Sequence, residues 1–172
     1  MASRMMWRNG ISLTITAALI SACGSSSTGT DKNNNTGTTN CTMTLSGAQS
    51  GTATCTAGNA VLDRGENNSG FAFNASGTPG LSAHVKVPGP AADGTYQFSG
   101  VAFGTVVLTN GASEWYAEDN SGGTMSMTIT SVSTISSTST LIAYQAHGTM
   151  TATLIPLTGT PATGNVTMTL TF

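Results

Sequence analysis

The side chains with the means to do chemistry are few, and most are oxygen ligands gathered in two turns. DRGENNSG carries Asp63, Glu66, Asn67 and Asn68, and EWYAEDNSGG carries Glu114, Glu118, Asp119 and Asn120. Carboxylates and amides on loops are what a hard cation such as Ca²⁺ takes as ligands. Asp63, Glu66, Glu118 and Asp119 are therefore a candidate calcium site, and Ca²⁺ is the one cofactor the chain suggests. Neither turn has the D-x-[DN]-x-[DN]-G spacing of a calcium loop. Asp and Asn also favour turns on their own account, because their side chains bond the local backbone. Trp115 and Tyr116, adjacent in an expected strand, must point to opposite faces. One of the two rings is then free to pack under a loop or to stack on a sugar, and with Asn120 they make a candidate ligand-binding group.

No catalytic machinery accompanies these turns. The chain contains no G-x-S-x-G, P-loop, H-E-x-x-H, C-x-x-C or H-x-x-E-H. His84 is expected on the outward face of SAHVKV beside Lys86, and His147 precedes a glycine at an expected strand start. Neither has a nucleophile elbow to serve, so no catalytic residue is assigned and a binding or structural role ranks above an enzymatic one. Cys41 and Cys55 are expected on the inward faces of two strands, with the turn-rich SGAQSG midway between them. A simple antiparallel hairpin sets them opposite each other, as a disulfide of an oxidising compartment requires.

The elements that must carry these residues are strands. Met43 and Leu45 alternate with threonines, and so do Met125, Met127 and Ile129, Met150 and Leu154, and Val166, Met168, Leu170 and Phe172. Period two with β-branched residues on the polar side is the pattern of a strand with one face in a core and one in water. Phe71–Ala75, Leu81–Val87, Thr95–Phe98, Val101–Leu108, Glu114–Glu118 and Leu141–Ala146 are further candidates, separated by Gly, Pro, Asn and Ser clusters. About nine or ten short strands without a helical stripe indicate an all-β fold, an antiparallel β-sandwich or a partly open barrel. The Thr-x-Thr ladders are similar to the hydroxyl surface of some ice-binding β proteins. Those rest on repeats of fixed length, whereas the similar pieces here begin at 40, 123, 148 and 164 and share no period. Read alone, the threonines are the ordinary solvent side of strands.

Composition narrows the partners. Only 7% of the 172 residues are charged, against about 25% in an average soluble domain. Five Lys and Arg make no basic face for phosphates, so nucleic acid is excluded as a partner.

The N-terminal segment has the three parts of a secretory signal: Arg4 and Arg8, the apolar run ISLTITAALI, and a small-residue stretch ending at Cys23. That run is too short to span a bilayer, which needs about 20 residues. Ile20-Ser21-Ala22-Cys23 resembles the bacterial lipobox. The resemblance implies a signal peptide over 1–22, cleavage before Cys23, diacylglycerol on its thiol and acylation (palmitate) of the new terminus. Residues 23–40 then form a tether whose GSSSTGTDKNNNTGTTN has nothing to bury, and 41–172 the β domain. Removal of 1–22 leaves Lys32, Arg64 and Lys86 against seven acids, a formal charge of −4, so membrane attachment rests on the lipid. Gly24 stands where Asp would favour inner-membrane retention, which directs the expectation to the outer membrane, lipid-anchored and periplasmic or surface-facing, or to the cell membrane of a host without an outer membrane. With the Gly94-Thr95-Tyr96 strand and the closing GTMTATL and NVTMTLTF, the chain resembles the small β-sandwich modules of bacterial cell-envelope lipoproteins, a group with no agreed activity. The resemblance implies a lipid-anchored protein with a structural or binding role toward a cell-surface glycan or an envelope protein. The alternative is an envelope hydrolase acting on glycan or ester substrates. Cys23→Ala is expected to abolish both incorporation of a palmitate analogue and partition into detergent phase, while the parent chain shows both.

Overall fold

The computed structural model describes residues 39–98, 102–120 and 122–172. The expected signal, the lipobox-like Ile20–Cys23 and nearly all of the expected tether lie outside them. The described residues hold eleven strands, all paired antiparallel: β1 (Thr39–Gly47), β2 (Gly51–Ala57), β3 (Ala60–Asp63), β4 (Asn68–Ala75), β5 (Gly80–Pro88), β6 (Gly94–Gln97), β7 (Phe103–Asn110), β8 (Ser113–Glu118), β9 (Thr124–Ser137), β10 (Leu141–Pro156) and β11 (Val166–Thr171).

The expected all-β architecture is the observed one. One layer has the order β2-β1-β11-β10-β9-β6 and the other β3-β4-β5-β7-β8. The two run into each other as a ring that stops short of a regular barrel, because the joins are brief. Thr56 and Ala57 pair with Asn74 and Phe73, Ala60–Asp63 of β3 with Tyr144–Leu141 of β10, and Ile155 and Pro156 with Tyr116 and Trp115.

Alternation in the sequence becomes alternation between core and solvent. An inward register row of the first layer runs Ala53, Met43, Leu170, Met150, Met127, Tyr96. Its middle four side chains are fully buried, and the unbranched methionines fill the irregular gaps between layers. An adjacent outward row runs Thr54, Thr42, Thr171, Thr149, Thr128, Thr95. The opposite layer contributes Phe71, Phe73, Val85, Val106, Leu108 and Trp115 to the same core. Phe73 meets Phe172 with ring centroids 4.9 Å apart, joining the layers.

Four details depart from the sequence reading. β3 was not expected, since four residues (AVLD) are too few to show a period. Leu141–Ala146 and the ladder from Thr149 to Leu154 are one continuous strand, so His147 lies within β10 rather than at a strand start. Gly148 looks like punctuation but is a close approach: a Cβ there would run into the carbonyl oxygen of Thr128, at a register shift in the β9–β10 ladder. That is the usual place for a β-bulge. β9 extends to Ser137 because β10 pairs with its polar end.

Cys41 and Cys55 are register partners, both buried, and form a disulfide with Cα atoms 4.8 Å apart across 14 residues of sequence. Cys41→Ala with Cys55→Ala is expected to cost about 3 kcal/mol in the chain-entropy account. A thermal melt should then show a fall on the order of 10 °C.

Candidate functional site

The two acidic turns leave the same end of the second layer. Asn68 pairs with Pro88, Lys86 with Phe103, and Thr105 with Glu118, so the β3–β4 turn and the β8–β9 turn emerge at the same end of the second layer. β5 and β7 stand between them, which sets their strands about 14 Å apart at ordinary strand spacing. The four acids are not brought together. Among the described residues no three His, Cys, Asp or Glu side chains converge as a set able to hold a metal ion. The composite calcium site of Asp63, Glu66, Glu118 and Asp119 is therefore not assembled.

Each turn has its own use for its oxygens. The Asp63 carboxylate accepts the Gly65 N–H at 2.8 Å and the Glu66 N–H at 3.4 Å, closing its own turn. Asn67 takes the left-handed conformation the turn needs, with φ +53°. Glu66 accepts from Lys86 Nζ at 2.8 Å, an exposed pair of the kind worth at most about 1 kcal/mol. Asp63, Glu66, His84 and Lys86 border a shallow groove of about 350 Å³ floored by Gly70 and Ala72.

The β8–β9 turn lines a larger cavity of about 440 Å³. Glu118, Asp119 and Asn120 form one wall, Gln97 and Phe98 another, and Thr151 and Thr153 of β10 the floor. The turn is pressed onto β10: Gly123 has φ +70°, and a Cβ there would lie 2.6 Å from the Thr153 carbonyl oxygen. Glu118 N donates to Gly122 O at 2.9 Å, pinning the loop base. Asn120, with φ +64°, is the one member of the expected ligand group that reaches this cavity. Trp115 is only 2% exposed and its Nε1 donates to the Gly164 carbonyl at 2.9 Å, so it is a core residue and no stacking platform. Tyr116 faces outward between Val107 and Ile155, half-buried and outside the lining.

Gln97, Thr151 and Thr153 were missed by sequence reasoning. They come from β6 and β10, and nothing local marks a strand residue as part of a cavity built from a distant turn. His84 and His147 lie on exposed faces, and neither lines this cavity. The described residues thus form an antiparallel β-sandwich with a hydroxyl-rich outer face on its first layer and a polar cleft at the crossing of its layers. Protein-family models, curated proteins and solved structures were all compared with the chain, and none matches.

Because the four acids are held apart and Asp63 and Glu66 are already engaged, millimolar Ca²⁺ is expected to give no calorimetric heat and no rise in melting temperature.

Proposed function

We propose that this chain is a lipid-anchored protein of the bacterial cell envelope, tethered through Cys23 in the outer membrane, that binds a neutral hydroxyl-rich ligand, a cell-surface glycan, in the cleft beside Asn120. The cleft carries the reading. It is lined by amide, carboxylate and hydroxyl groups from Gln97, Asn120, Glu118, Asp119, Thr151 and Thr153, with Phe98 and Met125 adding apolar contact. That mixture suits sugars, whose hydroxyls need both donors and acceptors. The lipobox and the tether support the placement, since they hold the β domain at a membrane without asking its acidic surface to bind lipid.

A second reading rests on one observation: Glu118 and Asp119 line the same cleft, and paired carboxylates are the working parts of glycoside hydrolysis. The two are consecutive in the chain and on one wall of the cleft, whereas hydrolysis needs carboxylates flanking the scissile bond, which favours binding over concerted acid and base work.

Glycan-array binding by the purified chain is the test, run beside generic glycosidase and ester substrates. Retention without turnover is expected, and Gln97→Ala or Asn120→Ala should weaken it roughly 5- to 10-fold, as loss of one or two hydrogen bonds implies. Turnover abolished by Glu118→Gln would replace the binding reading with the hydrolytic one.

A further inference from the structure

The outward side of the layer β2-β1-β11-β10-β9-β6 carries a second register row beside the threonine row already described: Thr52, Thr44, Thr169, Thr151, Ser126, Gln97. Strand spacing puts neighbours within a row about 4.8 Å apart, and the two rows about 6.8 Å apart along each strand. Neither row contains a charged or aromatic residue. Among the described residues, the only hydroxyls of these two rows bonded within the molecule are those of Thr95 and Thr128, to each other at 3.0 Å. The remaining hydroxyls are free to meet a partner.

We propose that this face binds ice. Each threonine hydroxyl offers one donor and two acceptor lone pairs, and so can take the place of a water molecule at a lattice point. The methyl group beside it offers water nothing, which confines the first water layer to the hydroxyl positions. A regular array in two directions is matched by a crystal and wasted on an irregular partner. The other occupants fit less well. A protein interface is built around buried aromatic and large apolar anchors, and the two rows have none. An anionic membrane calls for Lys and Arg, which are absent from them. A polysaccharide surface presents C–H faces best met by aromatic rings, also absent. Sheet twist of about 20–25° per strand turns the outer strands out of plane, so the contact centres on β1, β11 and β10, with Thr42, Thr171 and Thr149 in one row and Thr44, Thr169 and Thr151 in the next. The inference goes beyond glycan binding in the cleft: the second row enters the cleft lining at Thr151, Ser126 and Gln97, whereas Thr44 and Thr171, the positions tested, lie outside it.

The test is ice-crystal faceting and recrystallisation inhibition by the full chain in detergent micelles, with micelles alone as the blank. Faceted crystals are expected, with loss of the effect in the double variant Thr44→Tyr, Thr171→Tyr and retention in Ser82→Tyr, which alters the outward face of β5 in the opposite layer. Thr44→Val keeps shape and methyl groups while removing one hydroxyl. It should weaken faceting with an unchanged thermal melt, which separates loss of the face from loss of the fold. Rounded crystals like those of the blank would overturn the proposal, as would faceting indifferent to the double variant. Retention on insoluble cellulose or chitin that the double variant abolishes, without any ice effect, would also overturn it in favour of a polysaccharide. Glycan binding sensitive to Asn120→Ala is unaffected by any of these outcomes.

Discussion

Both layers depend on the pairing of one sixteen-residue strand. β10 runs beside β9 for most of its length and meets β8 just beyond it on the same edge, while its other edge pairs in turn with β3 and β11. A strand so long cannot stay in one twisted layer. The register shifts near Ala143 and Gly148 let it pass from one layer toward the other while its backbone groups stay paired. Unpaired buried N–H and C=O groups are costly, so this continuity lets the layers join without leaving an open seam.

The interior and exterior of the first layer are two sides of one pattern. Four segments with no common repeat length pair so that their methionines and leucines meet inside and their threonines meet outside. Slipping any one of them by a single residue would send its Met and Leu side chains into water and its threonines into the core. Burial thus enforces the alignment of the outer hydroxyls as strictly as that of the core. With so few charges, the outer face of the first layer is polar through hydroxyl groups, which are compatible with β structure in a way that dense Lys and Glu are not.

The cleft is built on a different logic. It lies where the β8–β9 connection crosses from one layer to the other, so its walls belong to both layers. The crossing needs the left-handed glycine at 123 to lie flat against β10, and this carries Glu118, Asp119 and Asn120 to the side chains of Gln97, Thr151 and Thr153. The β3–β4 turn, chemically similar in sequence, makes no such crossing, and its acids are occupied by the turn backbone and by Lys86.

The sequence by itself determined the fold class, the inward and outward side of nearly every strand, and the pairing of Cys41 with Cys55. All of these follow from period two and from a turn midway between two cysteines, which are local facts. Short or irregular pieces escaped it: β3 has too few residues to show a period, and the outer half of β9 is polar on both sides. Trp115 and Tyr116 were legible only as a pair facing opposite ways, because which ring is buried depends on which layer lies beneath the strand. Only the tertiary structure decided that the acids of the two turns stay apart, that Gln97 and Asn120 line one cleft, and that ladders from unrelated positions lie side by side as one hydroxyl face. Those outcomes depend on strand order and register between segments distant in the chain, set by the burial of all the core side chains at once and by no residue alone.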